Sequence, residues 1–303
     1  MTQRIKFQEP ELIPLPIMRA LVEIYYDFQK QRIATFNNVM MNCERNGISE
    51  EDLEKKYNVK PLIDEAKAYE NKIKKRLTDE VQNYPLYDKY LKNIQGIGPV
   101  ISAGLIANIG DIGKFGTISK LWMQSGLGFN KFCPECDHPT YVELEFEDRD
   151  GNLTKQKKLK PFENCPECHK QTIPIIQRTT KGYRNNWSPR LKVLAWKIGD
   201  SFVKQKASKS GYRRLYESLR KGDTENHPTK IKENGKTKYN DGHMYNRAVR
   251  KTVKIFLSHL WITWREMEGL EVKQPYVSKV LGHDIIKPFT DDKAIGSKKT
   301  RKG

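Results

Sequence analysis

Four cysteines stand in two Cys-Pro-Glu-Cys pairs, Cys133 with Cys136 and Cys165 with Cys168. Thiolates at this spacing supply the four ligands of a tetrahedral zinc site. Since the protein fills all four positions, such a site is structural and leaves no open position for catalysis. Disulfide bonds are the alternative for paired cysteines, and they require an oxidising compartment. We therefore predict one structural zinc ion per chain.

A glycine turn is the second feature with chemical consequences. Gly96, Ile97 and Gly98 lie between apolar segments, and Pro99 follows them. The glycines allow a tight turn that brings backbone amides close to a ligand, and proline suits the first position of a helix. The N–H groups at such a helix start bind phosphate. The pattern is typical of a helix-hairpin-helix unit, which we place at residues 83–130, although a plain turn between two packed helices has the same sequence signature.

The chain is strongly basic, with 55 Lys and Arg against 37 Asp and Glu and a formal net charge of +18. A surplus of this size indicates a polyanionic partner, here DNA or structured RNA. Basic and aromatic residues alternate after the second cysteine pair, an arrangement that suits phosphate contact and base stacking. The candidate nucleic-acid contacts outside the glycine turn are Lys181, Arg184, Arg190 and Lys192. The alternative is that these residues are simply exposed to solvent at the start of a helix.

The sequence contains few groups of residues that are spaced to form a catalytic site. Two-metal nuclease chemistry requires several carboxylates at one site, and no set of acidic residues is spaced to indicate one. Ser125 is the weak candidate for a nucleophile. Ser188 is better explained as the N-cap of a helix that Pro189 opens.

Most of the chain has helical periodicity, so the predicted fold class is mostly α with a small β insertion. Apolar residues recur at helical spacing from Ile17, and Gly47 ends that helix. Ser49 and Asp52 form a capping-box pattern at the start of the next segment, and another helix follows Pro61. Two long helices within residues 1–82 predict a coiled-coil hairpin, through which a homodimer would form. Ordinary core packing is the alternative.

The remaining segments follow from composition. Residues 131–172 are predicted to be a zinc-ribbon insertion with strands at 141–146 and 155–159, joined by a turn at 148–152. Residues 173–270 are predicted to be a basic helical part, with a long loop at 223–242 and a final helix around Val249 to Trp264. Residues 271–303 are predicted to be a tail.

No segment approaches the roughly 20 apolar residues of a membrane span. The first residues lack the apolar stretch of a signal peptide. We expect a protein of the reducing cytoplasm, where thiolates bind metal, with Cys43 as an inert thiol.

The segment 90–115 has the sequence YLKNIQGIGPVISAGLIANIGDIGKF. It resembles the C-terminal domain of the DEDD insertion-sequence transposases, the bridge recombinases. Gly126 and Leu127 match the family's "GL" turn, and residues 179–182 are similar to its "ITKRG" phrase. The resemblance covers residues 15–130 and 176–268. It implies DNA binding, dimerisation, contact with a guide RNA and a role in a mobile element.

The chain departs from the family in two places. The family's N-terminal RuvC-like domain carries an acidic tetrad, and the residues before Ile17 are too few for it. The family's catalytic serine lies between the two matched phrases, where this chain has its cysteine pairs, and Ser125 lies just before the equivalent point. We therefore expect DNA binding without catalysis by the isolated chain. The alternatives are a recombinase that uses a partner's acidic domain and an RNA-binding accessory protein.

Overall fold

The computed structural model describes residues 12–147, 153–227, 230–231, 237–273 and 288–289. Helices dominate this part of the chain, as the sequence predicts. The helices are α1 (Leu15–Arg45), α2 (Glu50–Lys55), α3 (Lys60–Val81), α4 (Pro85–Lys89), α5 (Pro99–Ile109), α6 (Ile118–Gln124), α7 (Pro189–Lys204), α8 (Gly211–Asn226) and α9 (Asp241–Met267). Short 3-10 helices cover Leu91–Asn93 and Ile112–Lys114. The strands are β1 (Phe129–Cys133), β2 (His138–Pro139), β3 (Tyr141–Glu147), β4 (Leu153–Leu159), β5 (Ile173–Ile176), β6 (Tyr183–Arg184), β7 (Lys230–Ile231) and β8 (Thr237–Lys238).

The chain divides into two compact units. One comprises Met1–Asn93 with Ile97–Gly110, and the other comprises Ile94–Gly96 with Asp111–Gly303. The boundary falls inside the glycine turn, so Gly96 and Gly98 belong to different units.

Helices α1 and α3 pack side by side in the first unit and run antiparallel. Arg32 Nε lies 2.6 Å from Glu70 Oε2, and Gln29 donates to the same carboxylate at 3.0 Å. Near the other end of the pair, Tyr84 donates to the carbonyl of Ile13 at 2.9 Å. The hydrogen bonds from α1 to the Glu70 carboxylate therefore fix the register of the two helices.

The predicted helix boundaries are confirmed at the start of α2. Ser49 Oγ accepts from the backbone N–H of Asp52 at 3.1 Å, and Asp52 Oδ2 accepts from the backbone N–H of Ser49 at 3.4 Å. This reciprocal capping box satisfies two backbone donors that a helix start leaves unpaired. Just upstream, Gly47 takes a φ of 64° after α1 ends, a conformation that glycine adopts without steric cost.

Helices α7, α8 and α9 form the core of the second unit. The ring of Phe202 stacks on that of Tyr212 at 4.5 Å between centroids and meets Phe256 edge-on at 5.4 Å. Trp261 is fully buried and donates its indole N–H to the carbonyl of Phe115 at 2.6 Å. Aromatic packing of this kind adds to the free energy gained by burying the rings.

The cysteine-containing segment folds into two small sheets, with strand orders β2-β1-β5 and β3-β4-β6. Strands β3 and β4 pair antiparallel with Tyr141 opposite Leu159, which confirms both strands predicted from the sequence. The predicted turn at 148–152 lies outside the described residues. Strand β6 adds to β4 in parallel, a pairing that the sequence does not indicate.

The predicted loop at 223–242 is wrong in part. Helix α8 continues to Asn226, and β7 pairs with β8 before α9 begins at Asp241. The helix extends because the buried carboxylate of Asp223 binds Arg247 at 2.9 Å and Lys251 at 2.6 Å, both on α9. A buried carboxylate is costly unless it is paired, so these contacts keep the last turn of α8 packed against α9.

Within the described ranges, no helix combines the length and apolar character needed to cross a membrane.

Candidate metal centre and basic surface

The sulfur atoms of the two cysteine pairs converge on one point. Cys133 Sγ lies 3.5 Å from Cys168 Sγ, and Cys136 Sγ lies 3.8 Å from Cys165 Sγ. All four sulfurs lie within 4.8 Å of one another. A tetrahedron with Zn–S bonds of about 2.3 Å has edges of about 3.8 Å. The four cysteines are therefore close enough to bind a metal ion, and their spacing is compatible with zinc.

The two knuckles share one backbone conformation. In each, the residue after the second cysteine is left-handed, with φ of 54° at Asp137 and 59° at His169. Cys133 pairs with His138 in a two-stranded ladder, and Cys165 donates its N–H to the carbonyl of Lys170 at 2.8 Å. Each knuckle is thus a tight hairpin that turns both of its sulfurs toward the same point.

Ionisation of these thiols is uneven. Hydrogen bonding from the backbone of Cys168 lowers the pKa of Cys165 to about 7. Sharing a proton with the Cys168 sulfur raises the pKa of Cys136 above its usual range. Four thiolates at these distances repel one another, so a cation between them is what allows all four to ionise.

A polar network ties the first knuckle to the neighbouring sheet. His138 Nε2 lies 3.0 Å from Glu167 Oε2, and Tyr141 donates to Glu167 Oε1 at 2.8 Å. Hydrogen bonding to Glu167 raises the pKa of His138. Cys136, His138 and Glu167 also lie close enough to form a metal-binding set, but this set shares Cys136 with the four-cysteine cluster.

Strand pairing joins two basic segments that are separate in sequence. In the parallel pair of β4 and β6, Lys157 lies opposite Tyr183 and Lys158 lies opposite Arg184. The rings of Tyr141 and Tyr183 meet edge-on at 5.4 Å, and Lys157 Nζ lies 4.5 Å from the Tyr141 ring centroid. We call these five residues the basic strip. Because side chains alternate between the two faces of a sheet, Lys157 and the two tyrosine rings share one face, and Lys158 and Arg184 lie side by side on the other.

Acidic residues offset part of this charge. Lys155 forms an ion pair with Glu145 at 3.2 Å across the β3–β4 pair, and Glu143 lies opposite Lys157. In the part of the chain that the structure describes, neither Lys158 nor Arg184 has a carboxylate within ion-pair distance. The uncompensated positive charge of the strip therefore lies on Lys158 and Arg184, which are neighbours across β4 and β6.

The residues of the glycine turn differ in their surroundings. Gly96 has a φ of 98°, and its carbonyl accepts from Ser201 Oγ at 2.6 Å. Ile97 is buried. Gly98 is the N-cap of α5 with an extended backbone, and a Cβ added there would meet no atom within 4 Å. Packing therefore requires glycine at 96, whereas the space beside Gly98 is open.

The other candidate contacts lie on the second unit. Lys181 and Arg190 are exposed, as is Arg184. Lys192 is half-buried, and its Nζ donates to the Gln177 carbonyl at 3.1 Å and lies 4.5 Å from the Trp187 ring centroid. The structure therefore brings Arg184 into the basic strip and gives Lys192 a packed position on α7.

The two serines have different roles in the structure. Ser188 Oγ accepts from the N–H of Leu191 at 3.3 Å, which confirms its predicted role as the N-cap of α7. Ser125 is 1% exposed, and its Oγ has no hydrogen-bond partner among the described residues.

Sequence reasoning missed a group of aromatic and basic side chains around α9. Arg247, Arg250 and Lys254 recur at steps of three and four residues, so they share a helix face. Lys254 Nζ lies 3.9 Å from the Trp122 ring centroid and 5.7 Å from that of Phe129. The helical spacing of the three cations could have indicated that they share a face of α9. Their aromatic partners could not be predicted, because these come from distant segments of the chain.

No protein-family model matches the sequence, and no curated protein matches it.

Proposed function

We propose that this chain is a DNA-binding protein, similar to the C-terminal half of an insertion-sequence transposase, with a structural zinc ion held by the four cysteines. The observation that carries the proposal is the pairing of β4 with β6, which sets Lys158 beside Arg184 and Lys157 beside Tyr183. Strands are about 4.8 Å apart, so neighbouring cations on this sheet can contact adjacent phosphates of one backbone.

Charge supports a nucleic-acid partner. The formal net charge of +18 attracts a polyanion over the whole surface. Backbone contacts by lysine and arginine give affinity without base readout. On the other face of the same sheet, the rings of Tyr141 and Tyr183 lie beside Lys157 and offer aromatic surface for base stacking.

Zinc has a structural role in this proposal. Cys133 and Cys165 are buried, and the knuckles that carry them flank the β3–β4 hairpin. Metal binding by four thiolates contributes directly to the folding of such a small segment, which is otherwise too small to bury a sufficient core. The metal therefore stabilises the sheet on which the basic strip lies.

Two further contacts belong to the proposal. The start of α5 presents backbone N–H groups beside the open space at Gly98, which suits a phosphate, as in a helix-hairpin-helix unit. Helix α1 exposes the apolar side chains of Ile17 and Ile24, which are one heptad apart. This spacing suits a coiled-coil contact between two copies of the chain, and sedimentation analysis would measure the resulting dimer.

The test compares duplex binding by the wild-type protein with that of a Lys158→Gln, Arg184→Gln double variant, measured by fluorescence anisotropy over a salt series. If roughly 6–10 phosphates are neutralised, wild-type affinity falls by about 10³–10⁵ between 50 and 200 mM salt. The double variant loses two cations of the strip, so its affinity for the duplex falls. The slope of its log affinity against log salt concentration becomes shallower by the contribution of about two phosphates.

A Lys55→Gln, Lys56→Gln variant is the matched control, because both lysines are exposed on or beside α2 and the charge change is identical. Equal losses in the two variants would show that net charge alone drives binding. A shallow salt dependence in the wild type would contradict the proposal. Tighter binding to a structured RNA of equal length than to duplex DNA would favour an RNA-binding accessory role.

A further inference from the structure

A cavity of about 670 Å³ opens in the second unit beside α7 and α9. Its walls are mainly apolar, with Leu127, Val193, Trp196 and Val249 among the lining residues. Trp196 is 54% exposed and Val193 is 55% exposed, so both present apolar surface to solvent. The volume falls within the roughly 300–1,000 Å³ of sites that hold small organic ligands.

Cations edge this cavity. Lys192, Arg247 and Arg250 line it, and none of the described lining residues is acidic. Asp223 compensates the charge of Arg247 at 2.9 Å. Arg250 donates instead to the carbonyls of Leu127 at 2.5 Å and Gly128 at 2.8 Å, so its charge lies against neutral groups.

The same pattern continues along α9 to Lys254. Its Nζ lies 3.9 Å from the Trp122 ring centroid, and the Phe129 ring lies near both Lys254 and Arg250 at 5.7 and 5.8 Å. Over the described ranges, Lys192, Arg250 and Lys254 form no ion pair with a carboxylate. Burial lowers the pKa of each of these three groups. Half-buried cations of this kind, held on rings and carbonyls, are complementary to an anionic ligand.

We propose that this cavity binds one unpaired nucleotide of a nucleic-acid strand, with the base against Trp196 and the phosphate toward Arg250 and Lys192. The inference rests on the proposed nucleic-acid binding. It adds a binding site for a base that is unpaired and not stacked within the duplex. An exposed indole accepts any base, because every base has a π face. The uncompensated cations supply the complement to its phosphate.

A nucleotide accounts for more of the site than other ligands do. A purely apolar ligand would leave Lys192 and Arg250 uncompensated in an environment that already disfavours their charge. An inorganic anion would leave the exposed surfaces of Trp196 and Val193 uncovered. An acidic amphipathic peptide also combines apolar and anionic groups, and it is therefore included as a competitor in the test.

The experiment uses the full chain and three versions of one DNA hairpin: blunt, with a single 3′ adenosine overhang, and with an abasic overhang that keeps the phosphate. We expect the adenosine overhang to bind about 5- to 100-fold more tightly than the abasic one, and to quench tryptophan fluorescence. Trp196→Ala should bring this ratio close to one while the blunt hairpin binds as it does to the wild type. Val193→Glu should lower it as well, because the new carboxylate repels the phosphate.

Tyr57→Ala is the matched control, since Tyr57 is an aromatic residue of similar exposure, 49%, in the other unit. It should leave the ratio unchanged, and circular dichroism should show that all three variants are folded. If the blunt hairpin binds but the base adds nothing, the inference is overturned and the proposed function stands. If no hairpin binds, both fail. If an acidic amphipathic peptide quenches Trp196 and the overhang does not, the cavity is a peptide site and the inference is wrong.

Discussion

Asp137 and His169 hold the same left-handed backbone conformation, each directly after the second cysteine of its pair, with φ of 54° and 59°. Residues other than glycine take this conformation at a cost of roughly 1–2 kcal/mol, and aspartate is among those that tolerate it. Its occurrence at both knuckles indicates that the geometry around the four sulfurs determines the local backbone.

This relationship gives the first prediction. We expect one zinc ion per chain, no bound zinc in Cys165→Ser, and reduced zinc affinity in Asp137→Val, because a β-branched residue is strained at positive φ. Asp137→Gly should keep full affinity. Metal analysis of the purified protein measures the number of zinc ions bound per chain, and competition with a chromophoric chelator measures the zinc affinity.

Glu135→Val is the control for Asp137→Val, since Glu135 is exposed in the same knuckle and has no positive φ. It should bind zinc like the wild type. Less than half an equivalent of zinc in the wild-type protein, unchanged in Cys165→Ser, would contradict the proposed metal site.

The second prediction separates the two glycines of the turn. Gly96→Ala should destabilise the protein, because φ is 98° and the new Cβ would lie 3.2 Å from atoms of Phe202 and Gln205. Gly98→Val should keep the protein largely helical, since an added Cβ there meets no atom within 4 Å, and the poorer N-cap should cost at most about 1 kcal/mol. If the start of α5 binds phosphate, the valine side chain blocks the backbone and duplex affinity falls. Circular dichroism melts and an anisotropy titration measure the two effects. Unchanged affinity in Gly98→Val would mean that the turn serves packing alone.

The third prediction concerns Lys254. Burial, reinforced by the charge of Arg250, lowers the pKa of Lys254 to about 8. An unfolded chain keeps a lysine near 10.4, so it binds more protons than the folded protein between about pH 8 and pH 10.4, and the stability contribution of this group rises with pH over that window. Below pH 8 the folded protein bears the full free-energy cost of burying the charged Lys254, roughly 1–3 kcal/mol.

Lys254→Met removes this penalty and keeps an apolar stem against Trp122. Denaturant unfolding should show the variant to be more stable than the wild type at pH 7, with the difference shrinking by pH 10. The exposed Lys206→Met is the control and should show no such pH dependence. A Lys254→Met variant that is less stable at pH 7 would show that the contact with the Trp122 ring outweighs the cost of burial.

The fourth prediction is that the isolated chain neither nicks nor joins DNA with Mg²⁺ or Mn²⁺. Within the described residues, both groups of potential metal ligands contain cysteine, and neither is a cluster of carboxylates. Phosphodiester chemistry normally requires metals on converging carboxylates to stabilise the attacking and leaving oxygens. Ser125 is buried and Ser188 caps α7.

Incubation with supercoiled plasmid and with candidate element ends, with and without co-purified RNA, is the measurement. Nicking, or a covalent adduct with DNA, would contradict this prediction and favour the recombinase alternative. Mapping such an adduct would decide between Ser125 and Ser188, and we expect Ser125 because Ser188 already has a structural role.

The sequence by itself determined the local features of this protein. The cysteine spacing identified the four sulfurs that converge, and Ser49, Asp52 and Ser188 identified the helix starts that they cap. These predictions succeed because ligand spacing and helix capping depend on residues a few positions apart.

Only the tertiary structure decided the long-range arrangement. The pairing of Lys158 with Arg184 joins two segments with no local signal for a parallel ladder. The last turn of α8 forms because Asp223 binds cations on α9, and the cavity beside Trp196 forms where α7 and α9 meet the Leu127 turn. Such contacts depend on the free energy of burying and pairing groups that are distant in the chain, and local periodicity carries no information about them.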